Sequence, residues 1–352
     1  MIWIAVDAMG GDHAPQHIVD GALAATRHFD LGVALAGPAD LVGAALERHV
    51  NSVGDVDNAR VRIVDAGDVI AMDESPVAAL RRKPRASIKV AAEVVARGEA
   101  AALFSAGHTG ATVMASHAAF GMLPGVDRPA LAAAIPTRRR AARDRDRQGA
   151  PVPAILLDVG ASVECRPQHL LQFAVMGRLY ARVAFDIESA RIGLLSIGEE
   201  ASKGNELTRE AHRLLKASPL SFIGNVEARD VYSGQADVIV CDGFTGNVAL
   251  KISEGLVEVM EALLGEELSS TMTMRVGSLI TRRALRHFRR RVDYSEYGGA
   301  PLLGVARATI VGHGRSSAKA VRNALAMAYR FAAHRYVERV EEDIAAAAVP
   351  HS

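Results

Sequence analysis

Asp237-Val238-Ile239-Val240-Cys241-Asp242-Gly243-Phe244-Thr245-Gly246-Asn247 holds the fold in miniature. Its first five residues include three β-branched apolar side chains in a row, the mark of a strand covered on both faces. Two glycines then allow a sharp turn. Beyond them Val248, Ile252, Leu256, Val259 and Leu263 recur at three- and four-residue steps, which predicts a helix with a buried apolar stripe. Working outward, the same strand–turn–helix unit repeats. Candidate strands lie at 2–7, 32–37, 60–64, 101–104, 131–135, 154–159, 191–197, 220–223 and 237–241, and helical segments follow most of them. Repeated βα units imply an α/β protein with a mainly parallel sheet and helices on both faces.

The bulk composition agrees. Of 352 residues 49% are hydrophobic and only 5% aromatic, which suits helices packed closely on a sheet of small side chains. A net charge of +1 provides no global field toward nucleic acid or membrane, so an electrostatic partner must meet a local patch. Two cysteines, Cys165 and Cys241, form no disulfide framework or zinc spacing. The opening residues lack a basic stretch and a signal-type apolar run, and no uncharged apolar window has membrane-spanning length. A cytoplasmic setting is the expectation.

Two regions interrupt the rhythm. Residues 137–149 carry six arginines with Asp144 and Asp146 interleaved, and read as a solvated loop. Residues 266–291 read as a helical excursion ending in a run of arginines. The expected organisation is one α/β unit over 1–345, an excursion at about 263–295 and a flexible tail at 346–352.

Ligands of open parallel sheets bind beyond the carboxyl ends of strands. The residues there are Asp7-Ala8-Met9-Gly10-Gly11-Asp12-His13, Ser105-Ala106-Gly107-His108-Thr109-Gly110, Asp158-Val159-Gly160-Ala161-Ser162, Gly198-Glu199-Glu200-Ala201-Ser202-Lys203-Gly204-Asn205 and the turn quoted first. Glycine permits close approach to a ligand, and the helix that follows presents unpaired N–H groups to an anion. Ser105, Thr109 and Thr245 offer hydroxyls and Lys203 a full positive charge. Each turn taken singly is more often a structural connection: the hydroxyls are plausible helix N-caps, and Asp7, Asp12 and Asp158 plausible local partners. Clustering at strand ends gives the set its weight as a phosphate or carboxylate site.

No G-x-G-x-x-G follows a strand, no P-loop motif occurs, and no G-x-S-x-G elbow is present, which removes the best support for hydride transfer, nucleotide hydrolysis and serine hydrolysis. Cys241, inside an apolar strand, reads as a small buried hydrophobe. His13 and His17 have the spacing of metal ligands, but Pro15 lies between them and no third ligand is evident. The site is expected to use no metal and no cofactor.

The turns together resemble the phosphate acyltransferase family, PlsX. The resemblance rests on Asp7-Ala8-Met9-Gly10-Gly11-Asp12-His13-Ala14-Pro15, Ser105-Ala106-Gly107-His108-Thr109-Gly110-Ala111, Lys203-Gly204-Asn205-Glu206, Cys241-Asp242-Gly243-Phe244-Thr245-Gly246-Asn247 and Tyr294-Ser295-Glu296-Tyr297-Gly298-Gly299-Ala300, nearly the whole chain. It implies a three-layer α/β/α fold with a mixed, mainly parallel sheet, like isopropylmalate dehydrogenase and the phosphotransacetylases. It also implies a homodimer, and acyl transfer from acyl carrier protein to inorganic phosphate for phospholipid synthesis. Lys203 and Asn247 match the family's catalytic pair. Ser105, Gly107, His108, Thr109, Gly110, Gly243, Thr245 and Gly246, with Asp7, Gly11, Asp12, Asp158 and Glu199, are the implied phosphate and substrate contacts. Peripheral contact with an anionic membrane through about 266–291 is implied as well. His108 and Ser162 stand where the family pattern expects asparagine. A short-chain acyl-coenzyme A phosphotransacetylase and a non-catalytic anion-binding regulator are the competing readings.

Overall fold

A computed structural model of the chain describes residues 1–54, 57–138, 152–271 and 298–347. The described strands are β1 (Ile2–Asp7), β2 (Leu31–Gly37), β3 (Val61–Asp65), β4 (Ala102–Ser105), β5 (Ala130–Ile135), β6 (Ala154–Leu157), β7 (Ile192–Ser196), β8 (Phe222–Glu227), β9 (Val238–Val240), β10 (Ala300–Leu303) and β11 (Ala308–Val311). The helices are α1 (Gln16–His28), α2 (Ala39–Val53), α3 (Pro76–Arg82), α4 (Ser87–Ala96), α5 (Thr109–Phe120), α6 (Pro167–Phe185), α7 (Glu206–Ala217), α8 (Gly243–Ser269), α9 (Ala318–Ala333) and α10 (Tyr336–Ala347).

All eleven strands join one sheet in the order β3-β2-β1-β4-β11-β10-β5-β6-β9-β7-β8. The layers follow from strand alternation, which sends successive side chains to opposite faces. Ile4, Val6, Val33, Leu35 and Phe104 pack with α1, α6, α9 and α10 on one face. Ala5, Ala34, Ala36 and Leu103 meet α4 on the other. Small residues allow close approach: a β-carbon on Gly21 of α1 would lie 2.5 Å from the Ala318 carbonyl oxygen of α9.

The mixed, mainly parallel sheet is as expected. Three details change, the first being where the turns gather. Strands β3, β2, β1, β4 and β11 run parallel to one another, as do β6, β9, β7 and β8, but antiparallel pairings of β10 with β11, β10 with β5, and β5 with β6 reverse the second group. The glycine turns therefore do not gather at one edge. Second, β10 and β11 lie outside the expected strands. They are four residues each, with Pro301 inside one and Gly304 between them, too short for periodicity to register. Third, the stripe along α8 is not buried: Ile252 is 67% exposed and Leu256 58%. Only Gly243 and Gly246 of α8 are buried, because the helix leaves the sheet after its first turns. Apolar periodicity reports that a face favours cover, not which surface covers it.

The arginine-rich 139–151, most of the 266–291 excursion and the 348–352 end of the tail fall outside the described residues. No helix among the described residues is long and apolar enough to cross a membrane.

Candidate active site

A cavity of about 450 Å³ lies between the start of α5 and the start of α8. One wall comes from the turn after β4, with Gly107, Thr109 and Gly110. The opposite wall comes from the turn after β6 and from α8, with Val159, Gly160 and Asn247. Leu131 and Ala133 of β5, Ala300 of β10 and Val311 of β11 supply apolar surface between them. The reversal of direction at the centre of the sheet is what sets the two turn systems opposite each other.

The first wall is built on a buried carboxylate. Asp7, at the end of β1, is 3% exposed, and Ser105, at the end of the neighbouring β4, is fully buried. The Ser105 hydroxyl donates to Asp7 Oδ2 at 2.6 Å, and the Gly107 N–H donates back to Ser105 Oγ at 3.1 Å. Burial raises the Asp7 pKa, and hydrogen bonds from Ser105, Ser87 and the Met9 amide oppose the rise. Gly10 must be glycine: a β-carbon there would sit 2.6 Å from the Gly107 nitrogen and 2.8 Å from Asp7 Oδ2. His108 caps α5, its Nδ1 accepting the Gly110 N–H at 3.1 Å.

The second wall also turns on a carboxylate, Asp158, with no exposed surface. Its Oδ1 accepts N–H bonds from Leu131, Gly160 and Ala161 at 2.8, 3.1 and 3.0 Å, and its Oδ2 accepts from Ser162 at 2.6 Å. Burial raises its pKa to about 6, against the pull of those amides. Asp242 caps α8, accepting the Thr245 N–H at 2.9 Å and the Thr245 hydroxyl at 2.7 Å. Gly243 and Gly246 pack α8 against Asp158, so a β-carbon at Gly243 would lie 2.7 Å from its Oδ2. Cys241 is buried, its thiol pushed well above the usual range by burial and directed at the Asp158 carbonyl oxygen at 3.4 Å.

The expected site residues thus divide. Asp12, Gly107, Thr109, Gly110 and Asn247 line the cavity. Asp7, Ser105, His108, Asp158, Gly243, Thr245 and Gly246 build its walls from behind. Ser105 and Thr245 donate their hydroxyl protons to Asp7 and Asp242, and the helix caps are His108 and Asp242 instead of the hydroxyl residues. Gly11, at φ +105°, brings the Asp12 N–H onto the Gly314 carbonyl oxygen at 2.8 Å. Glu199 and Lys203 stand exposed on the β7–α7 turn, outside the cavity lining.

One contributor lies outside the expected set. The loop after β11, Gly312-His313-Gly314-Arg315-Ser316, lines the cavity and leads to Ser317, which caps α9. Its signature is legible: a short apolar run, two glycines, an arginine and two serines before a helical period. The loop brings Arg315, which pairs with Glu258 of α8 at 2.5 Å, while Lys251 pairs with Glu254 at 2.7 Å. The cavity thus holds two cations, each already ion-paired, and Glu254 lines it as well.

Two opposed glycine turns across an apolar cleft belong to an α/β protein whose fold is that of the phosphotransacetylases. A phosphotransacetylase structure from Streptococcus pyogenes superposes with TM-score 0.64 at 17% identity, covering 95% of this chain and 94% of that one. At the level of sequence the match is closer. The family described as fatty acid synthesis protein matches residues 2–339. A phosphate acyltransferase from Acidobacterium capsulatum is 46% identical over 99% of each chain, and one from Heliobacterium modesticaldum is 46% identical over 97% of each. The chain belongs to this phosphate acyltransferase family and is an acyltransferase.

Proposed function

We propose that the protein transfers an acyl group from acyl carrier protein to inorganic phosphate, releasing acyl phosphate and free carrier protein for phospholipid synthesis. The observation that carries this reading is one cleft that joins the Gly107–Gly110 helix-start turn, which suits an anion, to an apolar surface. Phosphate is already an oxyanion nucleophile, so the enzyme need only hold it against the thioester carbonyl and stabilise the tetrahedral oxyanion. In this reading the Gly107–Gly110 turn takes the phosphate, with Arg315 and Lys251 of the cavity lining adding positive charge. Leu131, Ala133, Val159 and Leu250 receive the acyl chain beside the carbonyl. Asn247, against Gly160, donates a hydrogen bond to the oxyanion. Lys203 adds charge when the β7–α7 turn closes on bound substrate.

Purified protein mixed with phosphate and long-chain acyl carrier protein tests the reading. Free carrier and acyl phosphate are the expected products. Release only from acyl-coenzyme A supports the phosphotransacetylase alternative, and no release from any thioester supports the binding protein. Asn247→Ala and Lys203→Ala are each expected to lower kcat about 100-fold. Near-normal turnover in either removes that residue from the mechanism. The exposed α8 stripe also supports a homodimer in which two copies cover Ile252, Leu256 and Val259. Sedimentation of Ile252→Asp at micromolar concentration tests it, with a shift to monomer expected. The one α/β unit over 1–345 is read from the continuous sheet.

A further inference from the structure

We propose that the groove between the end of α1 and the flank of α9 is the docking surface for an acidic helix of the acyl-carrying protein. The proposal rests on the carrier-protein reading above and adds where the carrier sits. The groove, about 380 Å³, is lined by His28 and Phe29 on one side and by Arg322, Asn323, Ala326, Met327 and Arg330 on the other.

Two of its cations stand without a carboxylate. Helix α9 brings Arg322 and Arg330 to the groove and carries no Asp or Glu along its length. The Arg322 guanidinium donates to Asn323 Oδ1 at 3.0 Å, and among the described residues neither Arg322 nor Arg330 meets a carboxylate. A second groove of the same volume, beside Arg307, places Glu338 and Glu341 in its lining and is a poor surface for an acidic partner.

The spacing selects a helix over a small anion. Arg322, Ala326 and Arg330 follow one another at four-residue steps and form a single ridge. At about 1.5 Å per residue the two arginines stand about 12 Å apart along the axis. That separation is too wide for both to close on one phosphate, but it matches carboxylates two turns apart on a partner helix. Phe29 and Ala326, both half-buried, supply apolar surface for the flank of such a helix.

The groove also adjoins the cleft. A β-carbon at Gly298 would meet the Asn323 carbonyl oxygen at 2.7 Å and Met327 Cε at 3.4 Å, both groove residues. At the next residue, Gly299, it would meet Ala324 Cβ at 3.6 Å, and Gly299 and Ala324 line the catalytic cavity. The groove and the cleft thus share α9 as a common wall.

Steady-state kinetics with acyl carrier protein at low and moderate salt test the placement. In R322S/R330S the carrier KM is expected to rise about tenfold and its salt dependence to flatten, with a smaller change in kcat, because long-range charge acts on encounter. The charge-conserving R322K/R330K is expected to recover most of the lost KM. An unchanged carrier KM and salt slope in the folded serine variant overturns the proposal. So does a rise in phosphate KM in place of carrier KM, which marks a small-anion site, or a loss confined to kcat, which marks damage to the cleft. Wild-type protein that releases no carrier from any acyl-carrier thioester overturns the parent reading itself, a failure separate from all of these.

Discussion

The two walls of the cleft solve one problem by different means. Each must turn a strand into a helix beside a buried carboxylate, and each leaves glycine backbone facing the cavity. The first satisfies Asp7 mainly with side chains, the Ser105 hydroxyl above all, brought from an adjacent strand 98 residues away. The second satisfies Asp158 with four backbone amides, three from its own turn and one from β5. A side-chain donor can be deleted alone. A ring of amides cannot, since removing the acceptor strands every donor at once. The Asp158 wall is therefore the less tolerant of change, although both read alike as Asp-and-Gly turns in the sequence.

The largest expected effect is that of Asp158→Ala. It leaves four amides without their acceptor, and at about 1–3 kcal/mol for each buried unsatisfied group the loss is about 4 kcal/mol or more. Denaturant unfolding measures it, and a cost below that of Ser105→Ala would reverse the ranking of the walls.

Next comes pH. The Asp158 carboxyl goes from an ordinary 3.8 to about 6 on burial, so the folded state holds the proton more tightly. Its contribution to stability is fully present below pH 3.8 and is lost as pH rises through about 6. At about 1.4 kcal/mol per pH unit, that window amounts to about 3 kcal/mol. Stability of the wild type relative to Asp158→Asn is expected to fall by this order between about pH 4 and pH 7.5. A flat difference would show that the amides hold the group at its unfolded value.

Ser105→Ala is expected to cost about 2 kcal/mol, since it removes one strong donor to Asp7 and the acceptor of the Gly107 N–H. Asp7→Asn is the smallest, about 1 kcal/mol, because the amide keeps an acceptor for Ser105 while removing the buried charge. Thermal unfolding of the pair ranks them. If Asp7→Asn proves the costlier, the first wall depends on charge and not on hydrogen-bond count.

Much of the fold is legible along the chain because burial on both faces writes itself as apolar runs. Strand β1 is read at its observed bounds, and β2, β3, β4, β5, β6, β7 and β9 within about two residues. The 220–223 expectation catches only the start of β8, whose Gly224 and Asn225 break the apolar run. Strands β10 and β11 leave no such trace, since four residues each are too few for periodicity to register. The site is half legible. Glycine marks Gly107, Gly110 and Gly160, and the Asp242–Thr245 cap is a three-residue spacing, but nothing local tells that Ser105 donates to Asp7. Gly312-His313-Gly314-Arg315-Ser316 was open to the same reading as the other turns, and its short strand hid it.

By itself the sequence determined the α/β class, the positions of the glycine turns, the family and the residue types available for an anion. It could do so because apolar period, glycine and helix-start chemistry are properties of neighbours in the chain. Tertiary structure alone decided that the second half of the sheet runs against the first, and so placed the turns after β4 and β6 on opposite sides of one cavity. It also decided which polar groups serve the fold and which face the cleft. Strand direction and hydrogen-bond partnership are relations between distant residues, and only packing brings those residues together.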